Sequence, residues 1–155
     1  MWQRIDERVS AGGTAVAVDL DLSLIHVRMP NLELRTTDIV AGPVERGAFD
    51  LVTARAVLHH VANTQAAIAN MIAGLGVDGA LLLIEPDFLP VSVAEPPEVR
   101  AFWDGWLTWS CERGIDYHIG RSTCASTGVA WPNKHQWHSG NRGLQRGLIV
   151  GEILD

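Results

Sequence analysis

At 155 residues the chain is long enough to bury a core and too short for more than one domain of ordinary size. Its 47% hydrophobic and 19% charged residues describe a globular chain and exclude wholesale disorder. A formal net charge of −6, with one Lys (Lys134) against eleven Arg, excludes phosphate-backbone binding as the main activity, because counterion release needs clustered cations.

Two cysteines, Cys111 and Cys124, are too few for a disulfide-stapled secreted domain. The N-terminal decapeptide is charged and has no apolar signal-peptide region, and no apolar run approaches the roughly 18 residues of a membrane span. The expectation is a cytoplasmic protein with neither nucleic acid nor membrane as partner.

Residues 2–9 have helical spacing, with Trp2, Ile5 and Val9 on one face, and Ala11-Gly12-Gly13 is expected to end that helix. Residues 14–20 (TAVAVDL) read as a buried parallel strand ending at Asp19. A short helix or turn at 22–27 leads to an alternating strand at 32–35, nearer an edge, which stops before Asp38. After a loop punctuated by Gly42-Pro43 and Gly47, a strand is expected at 49–53, an Ala-rich helix at 65–75 and a strand at 79–84 closed by Glu85-Pro86-Asp87. Strand, helix and strand at this spacing imply crossover connections and a parallel sheet. The fold class is therefore α/β, a Rossmann-like, mostly parallel sheet with flanking helices.

Pro86, Pro90, Pro96 and Pro97 mark a long connection, followed by a helix at 99–113 carrying Phe102, Trp103, Trp106 and Trp109. That stripe has the spacing of a core-facing helix; a pocket wall or a homodimer face is the sharper reading. From residue 122 the sequence holds no helical or strand period for more than a few residues, until residues 144–154 become apolar enough for a short strand or helix.

Ligands of open parallel sheets bind outside the carboxyl ends of the strands, near the point where strand order reverses. The strand ends here supply Asp19-Leu20-Asp21, Asp38-Ile39, Ala54-Arg55 and Glu85-Pro86-Asp87. An acid in the place of Asp19 can accept both hydroxyls of a ribose; the competing reading is an Asp capping the next helix. Asp38 can receive the exocyclic amine of an adenine, with Ile39 over a ring face, or can simply make a local turn bond. His59-His60 could provide a general base or, more plainly, a cap and a core residue. His135, His138, Cys111 and Cys124 match no zinc-ligand spacing, so no metal site is expected. Glu85 and Asp87, two apart on a strand end, define no glycosidase separation.

The order VAVDLD, RTTDIV, FDLVTARAVLHHV, a helix, then GVDGALLLIEPDF resembles the class I S-adenosylmethionine-dependent methyltransferases over about residues 2–121. The resemblance implies S-adenosylmethionine as cofactor, Asp19 at the ribose, Asp38 at the adenine, and Thr53, Ala54 and Arg55 beside the methionine moiety, with Asp78 standing where Pro is usual; the neighbouring Leu20 and Ile39 are counted with the cofactor-binding residues. It implies methyl transfer to a small-molecule acceptor and names no residue as catalyst.

Two departures qualify it. The family's first strand and its glycine-rich loop precede the helix that here begins near Trp2, and Gly12-Gly13 lies on the wrong side of that helix to replace the loop. The fold is thus expected to be truncated at the N-terminus, with a methyltransferase-like domain at 1–121 and a divergent tail at 122–155. Since the missing strand is central in the family, the expected remedies are direct pairing of its neighbours, a strand inserted by another chain, or poor stability. The alternative function is a catalytically dead remnant or protein-binding module of the same fold. A nicotinamide-dependent dehydrogenase is a third reading that would also use Asp19.

Overall fold

The computed structural model describes residues 9–23, 25–26, 29–93, 96–126 and 144–150. Five strands form one sheet: β1 (Val9–Asp19), β2 (Leu32–Thr36), β3 (Phe49–Arg55), β4 (Leu75–Ile84) and β5 (Leu144–Val150), in the spatial order β2-β1-β5-β3-β4. All four pairings are parallel, as a Rossmann-like α/β fold requires. Helix α1 (Thr64–Gly74) joins β3 to β4, and α2 (Pro97–Cys111) and α3 (Ile119–Ser126) follow β4.

The period-two alternation of the strands divides the core between two faces. Val16, Val18, Val52, Ala54, Leu148 and Val150 pack on one face with Phe49 and with Ala67, Ile68 and Met71 of α1. Those helix positions recur at one-turn spacing, which is why an Ala-rich segment can lie flat on the sheet. Asn63 caps α1 through Oδ1, which accepts from Ala66 N at 3.1 Å, satisfying a backbone donor the helix leaves open. Ala15, Ala17 and Ile149 form a smaller cluster on the other face with Ile25, Leu32 and Leu34.

Strand β1 is longer than its sequence suggests. Ala11-Gly12-Gly13 does not end a helix but lies within β1, where the pairing to β5 shifts register between Val9 and Thr14. Gly12 has φ +94°, a conformation that only glycine enters without strain, so the pair of glycines serves an irregularity in a strand. The helix expected at 2–8 lies outside the described residues. Strand β4 likewise begins early, at Leu75, with a register shift against β3 and Asp78 at φ +64°.

The largest correction concerns the centre of the sheet. The flanking strands do not pair directly: β5, taken from this chain's own residues 144–150, lies between β1 and β3. Leu148 is level with Val16 on one side and Val52 on the other and is 1% exposed. In this way β5 occupies the central place that the methyltransferase resemblance gives to the family's first strand. The span from α3 to β5 exceeds the dozen or so residues that a parallel connection needs.

Polar groups anchor the start of β5. Asp50 Oδ2 accepts from Gln145 N at 2.9 Å and Arg146 N at 3.0 Å. The Arg146 guanidinium reaches Glu45 at 2.7 Å, and Glu45 also receives Arg35, which grips Glu33 at 2.7 Å. The hydrogen bond from Arg35 holds the Glu33 carboxyl below its ordinary value, and Arg35 and then Arg146 do the same for Glu45. A carboxyl depressed in the folded state stabilises above its unfolded value and loses that contribution as pH falls through the folded one. Urea midpoints are therefore expected to fall between pH 6 and pH 3, less steeply in Glu45→Gln than in the parent. Equal slopes would remove Glu45 from the anchor.

Candidate functional site

Strand order places the reversal point at β5, with β1 leading outward to β2 on one side and β3 to β4 on the other. Val150 is level with Val18 and Ala54, so Asp19 and Arg55 each extend one residue past it. Two strand spacings, about 10 Å, separate them across the central strand.

Asp19 is half-buried; its Oδ1 accepts from Asp21 N at 3.1 Å and its carbonyl from Thr37 N at 2.9 Å, which ties the ends of β1 and β2 together. Leu20 beside it is 69% exposed. Asp38 is exposed at the start of a turn, where its Oδ1 accepts from Val40 N at 2.8 Å and its carbonyl from Ala41 N at 3.1 Å. Ile39 lies in the main core, and its carbonyl accepts from Asn70 Nδ2 at 2.8 Å. Ala54 is buried between β4 and β5, and Arg55 is exposed. Asp19, Leu20, Asp38 and Arg55 thus present side chains at the carboxyl edge, whereas those of Ile39 and Ala54 are committed to the core.

Beside Arg55 the backbone turns sharply. Ala56 has φ +55°, which costs an L-residue about 1–2 kcal/mol. Its N–H donates to Ile84 O at 2.9 Å, and the chain then enters a single 3-10 turn at Leu58–His60. The side chain of Glu85, 1% exposed, lies under that turn. Its Oε1 accepts from Val57 N at 3.0 Å and Leu58 N at 2.9 Å, and its Oε2 from His59 N at 3.4 Å and His59 Nδ1 at 3.2 Å. Sequence reading passed over this role. The carboxylate and its donors lie 26 to 28 residues apart, and nothing in the tripeptide Ile84-Glu85-Pro86 signals the partner.

His59 is accordingly a buried structural residue, whereas His60 is exposed against it with ring centroids 3.9 Å apart. His59 O accepts from Asp116 N at 2.9 Å, and its ring lies 5.1 Å from Tyr117. Tyr117 joins Phe88, Trp103 and Trp106 in a packed aromatic cluster. The expected aromatic stripe is therefore split: Trp103 and Trp106 pack inward, while Phe102 is 64% and Trp109 49% exposed. Arg113 stacks over Trp109 at 4.0 Å.

Gly120 closes the arrangement by donating its N–H to Pro86 O at 3.0 Å. A Cβ built there would meet Pro86 O at 2.7 Å and Glu85 O at 2.9 Å, both backbone atoms that cannot swing aside. Gly120→Ala is expected to destabilise by about 1–3 kcal/mol, read as a lower urea midpoint. An unchanged midpoint would show that the segment docks elsewhere.

His135 and His138 lie outside the described residues, and no helix among the described residues is long and apolar enough to cross a membrane. No curated protein matches the chain. Residues 4–83, just over half of its length, match the family described as a methyltransferase domain. That match spans β1 to β4 with their acid at the first strand end, and it agrees with the parallel order of the sheet. The chain belongs to the class I S-adenosylmethionine-dependent methyltransferases.

Proposed function

We propose that the protein transfers a methyl group from S-adenosylmethionine to a small-molecule acceptor. The observation that carries this reading is the position of Asp19, a carboxylate at the end of β1, one residue beyond the central strand at the reversal point of the sheet. A carboxylate there suits the paired hydroxyls of a ribose, and the adjoining Leu20 offers apolar surface. Asp38 would face the adenine amine, and Arg55, on the far side of β5, the methionine end.

When bound, the cofactor supplies an electrophilic methyl on a sulfonium that is already a good leaving group. The chain's own task is then to bind, to orient and to exclude water, and no acid or base is demanded of it. Of the two adjacent histidines that follow β3, His59 is buried and held by Glu85. A net charge of −6 disfavours polyanionic acceptors and favours a small molecule.

The test is calorimetric titration of the folded chain with S-adenosylmethionine and, in parallel, with NADH. Saturable binding of the first alone supports methyl transfer, and saturation by NADH would favour the dehydrogenase reading. A chain folded by circular dichroism that binds neither up to millimolar concentration would be a remnant or a protein-binding module of the same fold.

A further inference from the structure

We propose that Glu85 is a positioning residue for the cofactor site: it acts as a clamp that holds the strained Arg55–Leu58 turn in the shape the ligand meets. This deepens the methyltransferase reading and rests on it. A non-glycine residue at φ +55° persists only where its surroundings over-determine it, and such residues gather where a site is pre-organised. Around Ala56 the over-determination is visible: Ala56 N is fixed to Ile84 O, and the next three N–H groups all converge on one carboxylate that is 1% exposed.

The two anchors lie side by side on β4, since Ile84 and Glu85 are consecutive, so the end of β4 dictates the backbone path leaving β3. Arg55, the last residue of β3 and level with Ile84, stands at the carboxyl edge across β5 from Asp19, immediately before this path begins. His59 completes the clamp. Its Nδ1 donates to the same carboxylate, since a carboxylate oxygen only accepts, and its carbonyl receives Asp116 N, which docks the aromatic segment behind the turn. A carboxylate buried solely for stability would be an expensive choice, because an apolar residue of similar volume costs less to bury. What an apolar residue cannot do is receive three successive backbone donors and so specify a turn.

Two variants separate positioning from mere stability. Glu85→Gln keeps the size and one acceptor oxygen but replaces the other by a donor facing His59. It is expected to raise the S-adenosylmethionine Kd about tenfold at a temperature where circular dichroism shows it fully folded, consistent with loss of a bond to a charged group. Ala56→Gly relieves the left-handed strain and loosens the turn, so its Tm should be equal or higher while its Kd rises about threefold or more. A purely structural role makes the opposite forecast, a tighter or unchanged site in the stabilised Ala56→Gly protein. If the parent binds and both variants bind equally well while folded, the clamp is overturned and the methyltransferase reading survives. If the folded parent does not bind at all, both fall together.

Discussion

Leu148→Asp is expected to abolish the cooperative folding of the domain. Leu148 is 1% exposed in the middle of β5, with Val16 and Val52 as its lateral neighbours and the α1 face of the core above it. Truncating such a leucine to alanine costs about 2–5 kcal/mol, and an uncompensated charge at the same place costs more. Against a whole-domain stability of about 5–15 kcal/mol, the aspartate variant retains little or none. Thermal and urea melts followed by circular dichroism would read this directly, with the exposed helical substitution Ala101→Asp as a control expected within about 0.5 kcal/mol of the parent. A cooperative Leu148→Asp transition close to the parent's would mean that β5 does not hold the centre of the sheet.

Asp19→Ala is expected to weaken S-adenosylmethionine binding at least a hundredfold, about 2.7 kcal/mol, while leaving the fold intact. Hydrogen bonds to a charged acceptor are worth about 1.5–3 kcal/mol each, and a carboxylate facing a ribose makes two. In the free protein the same carboxylate receives the local N–H of Asp21, an exposed bond between near neighbours whose loss is expected to cost little. Asp19→Asn, which keeps one acceptor, should fall between the two. Calorimetry on the three proteins gives the answer, and equal affinities in parent and Asp19→Ala would dismiss the ribose role.

The two results probe different parts of one arrangement. β5 stands at the centre of the sheet, and Asp19 and Arg55, at the ends of β1 and β3, flank it on either side. Opening the centre would separate them, so a Leu148 variant is expected to lose binding through loss of fold, whereas an Asp19 variant loses it with the fold retained.

Much of this was legible in the residues. The strands at 14–20, 32–35, 49–53 and 79–84 and the helices at 65–75 and 99–113 all exist, because each is set by a local pattern of apolar residues and punctuating glycines and prolines. The acid at the end of β1 was legible for the same reason, since the end of a continuous apolar run fixes which side chain leaves the sheet. Asp38 was half legible: the local turn bond is there, while Ile39 is turned into the core.

What the linear order alone determined, then, is the body of four strands and two helices and the acid that ends β1, since these depend on neighbours a few positions away. Tertiary structure decided who stands next to whom. It placed residues 144–150 between β1 and β3, turned Ala11-Gly12-Gly13 from a helix end into part of a strand, and brought Glu85 beneath a turn 26 to 28 residues earlier. The physical reason is common to all three. Backbone donors and acceptors at the middle of a sheet, or in a buried turn, must be paired, and the partner that pairs them is chosen by fit in space and not by distance along the chain.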